Sequence, residues 1–208
     1  LGRAGLVRIA AGAPVGMSLL PEALSTYRAR YPDILIRTYV APIATMIEML
    51  RAGDAAMALA LDDALPPDIE VETIGETSFC CLLPEAHPLC SAEAISFADL
   101  ERETVISYRS RNRPHDELAA AARRAGARFT PDIEIDSSLP AAPFVRAGLG
   151  VAVVDALLPW NLFPGIKQRP LIDAPQLPIS LLTLRDKSLS QAEEAMREHI
   201  HKTASEYL

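Results

Sequence analysis

No apolar run in the 208 residues approaches the ~20 residues that span a bilayer as a helix; the longest, such as Val151 to Val154 and Ala156 to Trp160, fall far short. No membrane span is therefore expected. A secretion signal is missing too, because Arg3 and Arg8 are not followed by a long apolar stretch with a small-residue cleavage site. Leu1 in place of a start methionine points to a fragment or a processed product. Positive charge is also short: Lys and Arg number 20 against 27 Asp and Glu, for a net charge of -7. Phosphate backbones are held by clustered cations, so nucleic acid, if it matters, is expected to be bound by another segment. Cysteine is scarce and odd in number. Cys80 and Cys81 are adjacent and Cys90 stands apart, a pattern that reads as buried thiols in a reducing cytosol rather than a disulfide framework.

The motifs of catalysis are missing as well. There is no GxSxG, no HExxH and no Walker A sequence, and Gly148-Leu149-Gly150 is followed by Val153 where a dinucleotide fingerprint needs its third glycine. Those glycines are expected to end a helix. His199 and His201, two apart on a predicted helix, point to different faces, so joint metal ligation is not expected. His87, in Glu85-Ala86-His87-Pro88-Leu89, has no nucleophile or acid placed beside it and reads as a loop residue. Adjacent in a strand, Cys80 and Cys81 face opposite sides, and core packing is the better reading of both. No enzyme, cofactor or metal is expected.

What is present is a globular composition. Half of the residues are hydrophobic, 23% are charged, and 10 Gly and 17 Pro exclude collagen and low-complexity classes. The length fits one large domain or two of roughly 100 residues. Leu6 to Ala10 reads as a strand and Gly12-Ala13-Pro14 as a turn. Leu20, Leu24, Tyr27 and Tyr31 predict a helix from Gly16 to Tyr31. A strand at Ile34 to Val40, a helix at Ile43 to Leu50 capped by Gly53, and a strand at Ala56 to Leu61 complete a β-α-β-α-β rhythm, that of a parallel sheet. Ile69 to Leu83 reads as one or two long strands. A second round begins with a strand at Thr104 to Ile106, a helix from Pro114 to Ala125 with Leu118, Ala119 and Ala122 on one face, and a strand at Pro131 to Ile135. A helix from Leu139 to Ala147 and an apolar strand at Val151 to Val154 close it. Leu177 to Leu184 is a late strand, and Ala192, Ala195, Met196, His199 and Ile200 mark a C-terminal helix.

Two α/β units in tandem suggest two lobes with a crevice between them, since such sheets bind ligands beyond the carboxyl ends of their strands. The candidate effector-binding residues are therefore Ala13, Pro14, Val15, Gly16, Met17 and Ser18; Ala41, Pro42 and Thr45; Ser107, Tyr108 and Arg109; Asp136, Ser137 and Ser138; and Asp155. Arg109, Arg111 and Arg113 alternate through a loop at a strand's end, where guanidinium forks suit carboxylates. A helix starting near Val15 adds backbone N–H groups for an anion. Asp136 and Asp155 favour a cationic or strongly polar nitrogen, unless each caps the helix after it.

Further residues carry a resemblance. Gly5-Leu-Val-Arg-Ile-Ala, Leu19-Leu-Pro21, Tyr31-Pro32 and Leu50-Arg-Ala-Gly53-Asp54-Ala-Ala-Met-Ala-Leu resemble the opening of the effector-binding domain of LysR-type transcriptional regulators. His87-Pro88-Leu89 and Val145-Arg-Ala-Gly148-Leu149-Gly150-Val151-Ala152 come in the same order as further marks of that family. The resemblance implies a type 2 periplasmic-binding-protein-like fold of two Rossmann-like α/β lobes, with lobe one at 1–73 plus 176–208 and lobe two at 74–175. It implies an N-terminal helix-turn-helix DNA-binding domain outside this chain, a small-molecule effector, and control of DNA binding in a cytoplasmic protein. It also implies a homodimer through the helices Gly16 to Tyr31 and Pro114 to Ala125, with a tetramer as a further state of the full-length protein. Asp155 departs from the family, where an apolar residue or proline is usual. The segments Val154 to Asn161 and Thr183 to Gln191 look like the regulators of opine catabolism, which implies an amino acid or an opine such as nopaline or octopine. The competing reading is a solute-binding protein of a transporter, and an enzyme of the porphobilinogen deaminase type is a distant third.

Overall fold

The β-branched run at the start folds as strand β1 (Leu6–Ala11), and successive alternations of apolar strand and amphipathic helix build outward from it. The computed structural model describes residues 5–208. They form two compact units, one from the described part of Leu1–Glu76 together with Pro178–Leu208, the other from Thr77–Leu177. No helix among the described residues is long and apolar enough to cross a membrane.

In the first unit β1 is followed by helices α1 (Ala13–Met17) and α2 (Leu19–Arg30), strand β2 (Leu35–Val40), helix α3 (Ile43–Ala52), and strands β3 (Met57–Ala60) and β4 (Ile69–Thr77). The sheet order is β2-β1-β3-β10-β4, where β10 is Leu177–Leu184. β1 runs parallel to β2 and β3, whereas β10 runs antiparallel to β3, so the sheet is mixed rather than purely parallel. The C-terminal helix α7 (Gln191–Tyr207) starts at a capping box in which Ser190 and Glu193 satisfy each other's N–H groups. Tyr27 on α2 donates its hydroxyl to the Ala192 carbonyl at 2.9 Å, tying α2 to α7. Met46, Ile47 and Leu50 of α3 pack on Ala10, Ala58 and Leu182 of the sheet, and α3 ends on Gly53 at φ 77°, a left-handed position that suits glycine.

One helix was expected from Gly16 to Tyr31, and two are present, broken at Ser18 (φ -117°, ψ -86°). Pro21 supplies the reason. It has no N–H to give to the carbonyl four residues back, so an unbroken ladder through this turn is impossible, and the Ser18 hydroxyl takes the Pro14 carbonyl instead at 2.7 Å.

The second unit holds β5 (Phe79–Pro84), a one-turn 3-10 helix at Pro88–Ser91, α4 (Phe97–Leu100), β6 (Val105–Tyr108), α5 (Arg113–Arg124), β7 (Ile133–Ile135), α6 (Ala141–Arg146), β8 (Val151–Asp155), a 3-10 turn at Trp160–Leu162, and β9 (Ile166–Pro170). Its sheet order is β7-β6-β8-β5-β9. β7, β6 and β8 are parallel; β5 is antiparallel to both β8 and β9. On α5 the buried residues are Leu118, Ala121 and Ala122, whereas Ala119, at the edge of that face, is half-buried. β5 lies inside the sheet between β8 and β9, and both Cys80 and Cys81 are buried although they face opposite sides, whereas Cys90 is only half-buried. Burial raises both thiols, Cys81 to about 12. Sequence reading missed α4, β9 and the two 3-10 turns. The Ser96 to Asp99 spacing that caps α4 was the available signal.

Candidate functional site

The candidate residues fall into one group in each unit, each at the carboxyl ends of parallel strands. In the first unit, residues 13–18 come after β1 and residues 41–45 after β2, and the Ala41 N–H donates to the Ala11 carbonyl at 3.1 Å, so the two segments start side by side. Gly16 lies where an added Cβ would meet Ala11 at 3.5 Å and Val40 at 3.6 Å, a close fit of α1 over the two strand ends. Ala13 and Val15 are buried, and Pro14, Gly16 and Met17 are half-buried. Ser18 is buried with its hydroxyl committed to Pro14. Ala41 is half-buried, while Pro42 and Thr45 are exposed, and no described residue bonds to the Thr45 hydroxyl.

In the second unit, β6, β7 and β8 deliver their last residues together. Ser107 is fully buried, and its hydroxyl donates to the Val153 carbonyl at 2.6 Å, so it braces β6 against β8. Arg109 is exposed; its N–H donates to the Ile135 carbonyl at 3.0 Å and its guanidinium has no partner among the described residues. Asp136 is exposed and likewise unpaired, and Ser137 accepts the Leu139 N–H at 3.4 Å. Arg109 and Asp136 flank an open hollow of about 390 Å³, which Glu134, Ile135, Pro140 and Phe144 complete. The neighbouring Arg111 stands at φ 68°, and Arg113 begins α5 with its guanidinium 3.9 Å from Glu117; neither lines that hollow.

Tyr108, Ser138 and Asp155 form a buried polar knot. Asp155 is 0% exposed. Its Oδ1 accepts the N–H groups of Leu157 at 3.1 Å and Leu158 at 2.9 Å, and its Oδ2 accepts the Tyr108 hydroxyl at 2.9 Å. The same Tyr108 oxygen accepts the Asp155 N–H at 3.1 Å, and the Asp155 carbonyl accepts the Trp160 indole N–H at 2.7 Å. The Ser138 hydroxyl, buried and without a well-formed hydrogen bond, still lies close enough to the carboxylate to pull its pKa down. Burial outweighs these donors and raises the Asp155 pKa; burial and the adjacent carboxylate push Tyr108 far up. Asp155 thus holds the turn after β8 and caps no helix, since the 3-10 turn that follows has Pro159 as its N-cap. Nothing in a single sequence pairs residues 108 and 155.

Other candidate groups have local structural roles. His87 Nδ1 accepts the Leu89 N–H and its Nε2 lies 3.2 Å from Glu103. His199 bonds to the Ala195 carbonyl and packs edge-on against Tyr27, whereas His201 meets Glu72 at 2.9 Å. Among the described residues no group of three or more His, Cys, Asp or Glu is placed to hold a metal.

Comparison with known proteins agrees with this architecture. Residues 2–205 match the family model of the LysR substrate binding domain. The uncharacterized HTH-type transcriptional regulator YfeR of Shigella flexneri is 26% identical over 195 residues, covering 92% of this chain and 63% of that protein. Regulatory protein NocR of Agrobacterium tumefaciens strain T37 is 24% identical over 151 residues, 73% of this chain and 50% of that protein. This chain thus spans about half to two thirds of the length of these relatives. Among solved structures, the effector-binding domain of QuiR in complex with shikimate superposes with a TM-score of 0.86 at 14% identity, covering 98% of this chain and 99% of that one. That likeness concerns the fold.

Proposed function

This chain belongs to the LysR substrate-binding domain family, and from that premise we propose that it is the ligand-sensing part of a cytoplasmic transcriptional regulator. The family is one of regulators, not of enzymes, and the relatives carry regulator names. DNA is contacted by a helix-turn-helix domain outside this chain, in keeping with the net charge of -7. The working form is a homodimer built on α2 and α5.

The effector is a small polar molecule bearing a carboxylate and a cationic nitrogen, an amino acid or an opine such as nopaline or octopine. The observation that carries this reading is the pair of opposite, unpaired charges at one hollow, Arg109 and Asp136, with Phe144 as its apolar wall. A guanidinium without a partner suits the carboxylate, and a free carboxylate suits the ammonium or guanidinium. Asp155 supports this group from within, since its oxygens are engaged by its own unit. Titration calorimetry against amino acids, opines and aromatic acids tests it. Zwitterions are expected to bind and benzoate to bind more weakly, and a preference for the plain aromatic acid would overturn the charge reading.

A further inference from the structure

Asp155 carries an arrangement that effector contact does not explain. Three neighbouring parallel strands end within one residue or a few of it: β6 at Tyr108, β7 just before the Asp136–Ser138 turn, and β8 at Asp155 itself. One carboxylate gathers all three. It takes the Tyr108 hydroxyl, lies against the Ser138 hydroxyl, and takes two N–H groups of its own turn. No lysine, arginine or histidine of the described residues pairs with it. Its partners are O–H and N–H donors, which use it as their acceptor. Each residue it grips is close in sequence to an exposed one: Tyr108 directly precedes Arg109, and Ser138 comes two residues after Asp136.

We infer that Asp155 is a positioning residue, which as a buried anion fixes the places of Arg109 and of the Asp136–Ser138 turn and does not itself touch the effector. This deepens the function proposed above and rests on Arg109 and Asp136 being effector contacts. Its physical content is independent of any effector. Removing the charge, by substitution or by protonation, weakens the hold on the Tyr108 hydroxyl and removes the charge beside the Ser138 hydroxyl, which frees two strand ends, while the main-chain ladders between β6, β8 and β5 stay in register.

The test uses the 15N-labelled chain with Asp155→Asn and, should that variant fail to fold, Tyr108→Phe, which keeps the buried carboxylate and removes one donor. In either folded variant the amide signals of Arg109, Ser137, Ser138 and Leu139 are expected to shift and lose order, with those of Cys81, Ile106 and Ala152 unchanged. Acid titration of the parent chain is expected to move the Arg109, Ser138, Leu157 and Leu158 amides with one shared midpoint above the ordinary aspartate range, and Asp155→Asn is expected to abolish that transition. The groups facing the carboxylate are Tyr108 from β6, Cys80 from β5 and Ser138 after β7, and none of the three titrates in the acid range, so the midpoint belongs to Asp155. Unmoved amides at Arg109 and 137–139 in a folded variant would overturn the inference. So would a calorimetric loss confined to cationic ligands, which would make Asp155 a contact. Because the spectra need no effector, failure of the effector reading leaves this result standing, and the reverse holds too.

Discussion

Gly148 and Gly150 sit two residues apart and both have positive φ, 80° and 146°, yet replacing each by alanine is expected to give very different losses. Gly148 ends α6; its N–H donates to the Val145 carbonyl, and a Cβ there would meet nothing within 4 Å. Only the left-handed strain is added, about 1–2 kcal/mol. At Gly150 a Cβ would lie 2.2 Å from the Thr104 carbonyl oxygen, the same oxygen that accepts the Val151 N–H at 2.9 Å where β8 starts beside β6. Backbone cannot yield there without breaking that bond, so backbone strain of about 1–3 kcal/mol is joined by a buried hydrogen bond lost at about 1–3 kcal/mol. The expected total is about 2–6 kcal/mol. Urea unfolding followed by the emission of Trp160, the chain's only tryptophan, reads the second unit directly. With a slope of about 2 kcal/mol per molar, the two variants should differ in midpoint by roughly 1 M. Equal losses in the two variants would refute the argument from close approach.

Other contacts set further outcomes. In the native chain a thiol reagent such as Ellman's should titrate Cys90 alone, because burial holds Cys80 and Cys81 as neutral thiols at neutral pH, and denaturant should release all three; fast reaction of more than one native thiol would contradict the burial. Tyr27→Phe should cost about 1 kcal/mol by removing the hydroxyl bond from α2 to Ala192, and an unchanged melting curve would show that this bond does not help hold α2 to α7. The Asp99 carboxyl is held below its usual range by the Ser96 hydroxyl and N–H. Its stabilising effect is therefore present above the ordinary aspartate pKa and lost as pH falls through the lowered folded value. For Asp155 the sign is opposite, since its folded pKa is raised: its contribution favours the folded state most below the ordinary aspartate pKa and is lost as pH rises through the folded value. Ser96→Ala should therefore flatten the acid limb of the stability curve, and Asp155→Asn should flatten the opposing slope.

Elements whose cause is local were legible in the sequence. Strand β10 and helix α3 announce themselves by a short apolar run and by 3.6-residue spacing with a glycine stop. The break at Ser18 was present in principle in Pro21, but periodicity runs straight across a proline in a first turn and hides it. Strand direction was not legible, because an apolar run such as Cys80 to Leu83 reads the same in a parallel or an antiparallel ladder. At the candidate site, strand ends and exposed charges could be placed from topology alone, which puts Thr45, Arg109 and Asp136 on the surface of their units. The commitment of Ser107 to Val153 and of Asp155 to Tyr108 joins residues 46 and 47 apart, a link that no local pattern carries.

The most direct measurement is the affinity of a zwitterionic effector found in the calorimetric panel for the parent chain and for Arg109→Gln and Asp136→Asn. Loss of a charge-assisted bond, about 1.5–3 kcal/mol, makes a drop of roughly 10- to 100-fold in either variant. Unchanged affinity in both variants, or no binding by any zwitterion, would contradict the account.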